Sequence, residues 1–284
     1  MFKIIRKKYL NDCVCEMDVF AERIAKKAQA GQFIILRVDE EGERIPLTIA
    51  GFDRNEGTIK IIFQIIGATT AKLSQKNEGD FLNDFVGPLG KASDLENISN
   101  VCVVGGGVGC AIALPIAKAL KEKGCNITNI IGFRTENLVI LKDEFSKTSI
   151  DTIVVTDDGS VGEKGNVCNP LRKLLEDGKI FDKIFAIGPL VMMKFVANLA
   201  KEFNIPCTVS MNPIMIDGTG MCGGCRLSVG GKQVFACVDG PEFDGNLVDF
   251  DETMNRNRTY QEFEEKEREK HCNLFNKEVN WWWI

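Results

Sequence analysis

Between Asp217 and Cys237 the chain sets one carboxylate and three thiols at the spacing D-x4-C-x2-C-x11-C, with glycines at Gly218, Gly220, Gly223 and Gly224. Side chains so spaced meet only if the main chain wraps them around one point. Glycine supplies the backbone freedom and close approach that such a wrap needs. The spacing C-x4-C-x2-C…C is that of plant-type [2Fe-2S] ligation. Here Asp217 stands in the first position, followed by Cys222, Cys225 and Cys237. Where side-chain bulk is low, backbone N–H groups can point at the cluster sulfurs and raise its potential. A carboxylate donates less electron density than a thiolate and can be protonated, so Asp217 is expected to raise the potential and make it pH-dependent. Three thiolates and a carboxylate also suit zinc, and the spacing by itself leaves both metals open.

The rest of the chain bounds the choice. Its 284 residues carry a net charge of −5, which speaks against a nucleic-acid partner. No apolar run reaches the roughly 20 residues of a membrane span. The N-terminus, Met1 to Lys8, alternates and turns basic too early for a signal peptide, so a cytoplasmic location is expected. Eleven cysteines in a reducing compartment are ligands or buried thiols rather than disulfides. Cys13, Cys15, Cys102, Cys110, Cys125, Cys168 and Cys207 lack ligand spacing and read as small core residues. The one histidine, His271, lies beside Cys272 near the C-terminus, so no Ser–His or Cys–His nucleophile and no catalytic side chain is assigned.

The pattern divides the chain into an α+β multidomain protein. Residues 1–97 hold short alternating runs, Phe2 to Lys8, Val14 to Val19, Gln32 to Val38, Leu47 to Phe52 and Thr58 to Gln64, as in a small antiparallel β-barrel. Glu22 to Ala30 reads as one or two helical turns. Residues 98–210 alternate buried strands with helices over Ala111 to Lys123, Val167 to Asp177 and Leu190 to Phe203, the grammar of an open α/β parallel sheet. Residues 211–250 form the cysteine module. Residues 251–284 are a charged tail ending Trp281-Trp282-Trp283-Ile284, tryptophans that need a surface to pack on.

Three further motifs suit cofactors. Arg44-Ile45-Pro46-Leu47-Thr48-Ile49 opens a barrel strand, where an arginine fork suits a diphosphate and Thr48 a flavin ring or phosphate. Gly67, Thr69 and Thr70 precede or open a helix, a place for an anion. Gly105-Gly106-Gly107-Val108-Gly109 follows a buried strand and opens a helix, which suits a dinucleotide pyrophosphate. It departs from G-x-G-x-x-G, with Cys110 in the last slot. Asp157-Asp158-Gly159 and Gly188-Pro189, with Met192 beyond, follow later strands and face the same crevice or are simple turns. Arg134 and Glu136 after the second strand leave the choice between NAD and NADP open.

The order of barrel with R-x-P-L-T, Gly-rich parallel sheet and [2Fe-2S] module resembles the ferredoxin reductase superfamily. Over roughly residues 1–260 the chain is similar to the electron-transfer subunit of dihydroorotate dehydrogenase. It is more similar to the small subunit of NADH-dependent reduced ferredoxin:NADP+ oxidoreductase, also described as a sulfide dehydrogenase subunit. Arg44 to Phe52, Asp157 to Gly165 and Asp217 to Gly245 carry the likeness. The dihydroorotate-linked subunit is expected to have Cys where Asp217 stands. The resemblance implies an FAD barrel, an NAD(H)-binding sheet and a [2Fe-2S] module. It implies a relay in which two electrons arrive as hydride and leave singly. It also implies a larger flavin/iron–sulfur partner subunit, in a heterodimer or higher assembly that handles NADPH and ferredoxin. An electron-transfer role toward dihydroorotate and a zinc-stabilised binding module without redox work are the alternatives.

Overall fold

The computed structural model describes residues 1–260; the tryptophans at Trp281–Trp283, His271 and Cys272 lie outside them. The first half of the architecture is an antiparallel sheet rolled into a near-closed barrel. Its elements are β1 (Phe2–Asn11), β2 (Val14–Phe20), α1 (Glu22–Ala25), β3 (Phe33–Arg37), β4 (Arg44–Asp53), β5 (Thr58–Gln64), α2 (Ala68–Ser74), β6 (Phe81–Leu82) and β7 (Asp84–Leu89). The strand order is β6-β1-β2-β5-β4-β3-β7. Strand period 2 explains the inside. Cys15, Met17 and Val19 of β2 pair directly with Phe63, Ile61 and Ile59 of β5, and all six are buried in the barrel core. Of the intervening residues, Glu16, Asp18 and Lys60 carry charge on the other face, where Lys60 sits 3.4 Å from Asp18, which also accepts Arg6 Nε at 2.8 Å, while Ile62 packs into the neighbouring core. Of the one or two helical turns expected over Glu22 to Ala30, one forms, α1, and the chain then turns at Gly31 with φ +85° to reach β3.

The second half comprises β8 (Asn100–Gly106), α3 (Cys110–Glu122), β9 (Asn126–Phe133), α4 (Lys142–Ser146), β10 (Asp151–Thr156), β11 (Glu163–Lys164), α5 (Cys168–Glu176), β12 (Lys183–Ile187), α6 (Leu190–Glu202) and β13 (Cys207–Ser210). Its sheet runs β11-β10-β9-β8-β12-β13-β16, where β16 (Glu242–Asp244) is antiparallel and all other pairs are parallel. The unbroken apolar run of β8 is explained by burial on both faces. Cys102 and Val104 enter the core under α5 and α6, and Val101 and Val103 the core under α3 and α4.

The cysteine segment has a small hairpin, β14 (Arg226–Val229) with β15 (Lys232–Phe235), and a turn of helix, α7 (Ala236–Asp239). It does not stand apart. β16 extends the parallel sheet, and α8 (Phe250–Asn257) puts Phe250 in the same apolar core as α6 residues Met193, Val196 and Ala197. Part of the stretch expected to be a charged tail is therefore a packed helix, capped by the Asp249 carboxylate, which accepts the Glu252 N–H at 2.9 Å.

Barrel, linker and cysteine segment meet at one seam. Ser93 N–H donates to Ala30 O at 2.9 Å, Lys91 N–H to Gly240 O at 2.7 Å, and Ser93 Oγ to Glu242 Oε1 at 2.6 Å. Gly31 is required here: a Cβ would lie 2.2 Å from Ser93 Oγ. Burial of the carboxyl pushes Glu242 up from its ordinary 4.5 to about 7, outweighing the Ser93 hydrogen bond. The neutral form is thus favoured by folding. Its contribution is fully present below the ordinary value and is lost as pH rises through about 7. Replacing Glu242 with Gln keeps the hydrogen-bonding shape and removes the titration. The expected outcome is a urea midpoint that falls less between about pH 5 and about pH 8 in E242Q than in the parent.

Candidate cofactor sites

The flavin candidate is the first half of β4. Arg44–Thr48 pair with β3 on one side, but pairing with β5 begins only at Ile49, so their other main-chain edge has no strand partner. Such an edge offers backbone donors and acceptors to a flat polar ring. Pro46, Leu47 and Thr48 are half-buried and Ile49 is buried in the barrel. Arg44, expected at the diphosphate, donates from Nε to Ile216 O at 3.1 Å, and its Nη1 lies 3.7 Å from Asp84. At the start of α2, Thr70 Oγ1 accepts the N–H groups of Ile66 and Gly67, both at 3.0 Å, so this hydroxyl serves as a helix cap. Thr69 Oγ1 faces Glu43 at 3.4 Å.

The nucleotide candidate lies where the sheet changes direction. From β8 the chain moves outward through β9 and β10, then returns to β12 on the other side of β8. In open α/β sheets the ligand crevice opens at this switch point, at the strand C-termini. The structure brings the Gly105–Gly109 turn against Gly188, Pro189 and Met192 here. A Cβ on Gly109 would lie 2.6 Å from Ile187 O and 2.7 Å from Gly188 Cα. One on Gly106 would lie 2.4 Å from Met192 Sδ. The main chains touch, and Gly107 turns with φ +54° before α3. Val108 is half-buried on this turn. Asp157, Asp158 and Gly159 are on the same edge but follow β10, with β9 between them and β8. Ser160 ties that loop inward: its hydroxyl accepts the Glu136 N–H and donates to Asp158 Oδ1, both at 2.7 Å. These bonds from Ser160 hold the Asp158 carboxyl below the usual carboxylate range.

In the cysteine loop, Cys225 and Cys237 are buried and Cys222 is exposed. The Cys237 N–H donates to Cys225 Sγ at 3.4 Å. The Gly224 N–H donates to Cys222 Sγ at 3.5 Å, and this main-chain hydrogen bonding holds the Cys222 thiol below its ordinary value. Burial, and then the neighbouring Cys225, push Cys237 up, so its thiolate needs a bound cation. The Asp217 carboxylate accepts the Thr219 N–H at 3.0 Å and the Thr219 hydroxyl. Among the described residues no three His, Cys, Asp or Glu side chains converge as the ligands of a single ion do. Cys225 and Cys237 lie together, with Cys222 and Asp217 on the same loop, and three thiols with one carboxylate are a donor set that suits a two-iron cluster. Ile216, Met221 and Val238 expose apolar side chains around the loop, Met221 at 88%.

A flavin-type barrel joined to a nucleotide-type parallel sheet, with an iron–sulfur segment on the sheet's edge, defines an oxidoreductase of the ferredoxin reductase type. Residues 212–249 match the iron–sulfur cluster binding domain of dihydroorotate dehydrogenase B. Over 262 residues the chain is 49% identical to the dihydroorotate dehydrogenase B (NAD(+)) electron transfer subunit homolog of Thermotoga maritima, covering 92% of each chain. It is 33% identical to the electron transfer subunit itself from Streptococcus pneumoniae, over 87% of this chain and 99% of that one. A solved structure of an NADH-dependent reduced ferredoxin-NADP oxidoreductase superposes with a TM-score of 0.91 at 46% identity, over 96% of this chain and 98% of that one. The chain belongs to the family of dihydroorotate dehydrogenase B electron-transfer subunits and their homologues.

Sequence reasoning passed over Arg226 and Arg256, whose guanidinium groups reach the cysteine loop. At the nucleotide crevice, Gly109→Ala must separate the two touching turns. The expected outcome is about tenfold weaker NAD(H) binding, or about 1.4 kcal/mol, measured by fluorescence titration.

Proposed function

We propose that this chain is the NAD(H)- and FAD-binding electron-transfer subunit of a cytoplasmic flavoprotein complex. It passes electrons between NAD(H) and a [2Fe-2S] cluster, and on to a larger partner subunit. The single observation that carries this reading is the shared core: strand β3, which pairs with the flavin-candidate strand β4, the nucleotide sheet and ligand cysteines Cys225 and Cys237 bury side chains in one apolar cluster. When bound, the flavin accepts a hydride and releases electrons one at a time, which is the chemistry that links a nicotinamide to an iron–sulfur centre. The protein's own work is to bind, orient and shield. The β4 edge offers main-chain groups to FAD, with Arg44, Thr48 and the α2 start nearby. Gly105–Gly109 and Gly188–Met192 receive the dinucleotide, and Asp157–Gly159 border it. Asp217, Cys222, Cys225 and Cys237 hold the cluster. No acid or base is required.

The likeness to the ferredoxin-NADP oxidoreductase structure, reported in the context of flavin-based electron bifurcation, supports a complex of that kind. NADPH and ferredoxin would then react on the partner subunit. Asp217 in place of a fourth cysteine favours this over service to dihydroorotate, the role named for the relatives at about one-third identity. No helix among the described residues is long and apolar enough to cross a membrane. The described cysteines are all unpaired, in keeping with a reducing compartment.

Two measurements test the reading. The purified complex should show flavin absorption, with iron and acid-labile sulfide in equal amounts; a colourless protein holding zinc would overturn it. A complex containing FMN and lacking ferredoxin activity would move the assignment to dihydroorotate. In Asp217→Cys, provided the cluster assembles, redox titration should give a lower midpoint potential with less pH dependence, because a thiolate donates more electron density than a carboxylate. An unchanged potential would show that Asp217 is not a ligand.

A further inference from the structure

The main chain from Asn212 to Gly224 belongs to no helix or strand. Two of its N–H groups turn inward to the ligands: Thr219 donates to the Asp217 carboxylate at 3.0 Å and Gly224 to Cys222 Sγ at 3.5 Å. Because N–H and C=O point in opposite directions across a trans peptide plane, a loop built this way turns carbonyls outward. Among the described residues, the only carbonyls of this segment that accept a hydrogen bond are those of Ile216, Gly223 and Gly224, and every donor is an arginine. Arg44 Nε reaches Ile216 O at 3.1 Å, Arg226 Nη1 reaches Gly223 O at 3.3 Å, and Arg256 Nη2 reaches Gly224 O at 3.4 Å.

The three come from separate places: flavin-type strand β4, hairpin strand β14 and helix α8. They grip both ends of the ligand run, Ile216 just before Asp217 and the Gly223-Gly224 pair between Cys222 and Cys225. A guanidinium suits this task because it is always charged and holds its donors in a rigid plane. Each one satisfies an outward carbonyl and sets positive charge behind the inward N–H dipoles.

Resting on the flavin and iron–sulfur reading above, we propose that Arg44, Arg226 and Arg256 are positioning residues for the cluster. They suspend the ligand loop by its carbonyls, and Arg44 makes the flavin strand part of that support. The shape of the cluster site is set from outside the loop as well as by its four ligands. Arg44 therefore ties strand β4 to the cysteine loop: its Nε holds the segment leading into Asp217 while its Nη1 lies 3.7 Å from Asp84.

The test uses the intact complex with its cofactors. Arg44→Lys keeps the positive charge and has no Nε at that place. Arg226→Met removes an exposed donor without disturbing the apolar core. The readouts are the electron paramagnetic resonance spectrum of the dithionite-reduced cluster and the rate of bleaching by an iron chelator, with flavin content measured in parallel. Both variants are expected to show shifted g-values and about tenfold faster bleaching, the scale on which lost outer-shell contacts weaken metal sites. If either variant matches the parent in spectrum and bleaching, the suspension is refuted, and an R44K variant that loses only flavin assigns Arg44 to the diphosphate alone. A parent complex without iron would instead refute the functional reading, and the inference with it.

Discussion

Electrons pass between cofactors only while the cofactors keep a fixed separation, and in this chain one apolar contact provides that constraint. Strand β3 is buried on both faces. Ile34 and Leu36 fill the barrel, whereas Phe33 and Ile35 point outward into the core that also holds Met211, Met215, Cys225 and Cys237. The strand that pairs with the flavin-type edge thus backs directly onto the cysteine loop. A Cβ on Gly218 in that loop would meet Ile35 and Leu89 at 2.9 Å, so the contact is tight enough to demand glycine. The barrel and sheet are further joined where Ala50, Ile62 and Val14 share a core with α3.

Both the nucleotide crevice and the cysteine loop need main-chain N–H groups aimed at a ligand, and they reach it differently. At the crevice the turns after β8 and β12 touch backbone to backbone, so glycine is required by space. Gly105 and Ile187 are paired partners in adjacent parallel strands, which fixes the height of the two turns. At the cysteine loop the glycines serve backbone direction: Gly218, Gly220 and Gly223 all have φ between +66° and +86°. Regular strands hold the first site. The second has no ladder of its own and draws on arginines and on the strand β16 that follows it.

Much of this was legible in the chain. The alternation of β2 and β5, the unbroken apolar run of β8, the Gly-rich turn after it and the spacing of Asp217, Cys222, Cys225 and Cys237 are local patterns. Each follows from strand or helix period, or from the reach of a ligand set. The helices α3, α5 and α6 fell within a residue or so of their expected bounds for the same reason. The turn at Gly31 was not legible in this way, because it answers to Ser93, far along the chain.

What only the tertiary structure decided is which distant pieces meet. Arg44 reads as a diphosphate ligand from its neighbours in sequence, yet its Nε bonds a carbonyl 172 residues away. Ser93 and Glu242, 149 residues apart, close the seam between barrel and cysteine segment. Strand β16 joins the parallel sheet antiparallel, and α8 packs Phe250 against α6. Periodicity records which face of an element is buried, and ligand spacing records which side chains gather. Neither records the partner, because the partner is fixed by the order of strands in the closed sheet, a property that no short window of sequence contains.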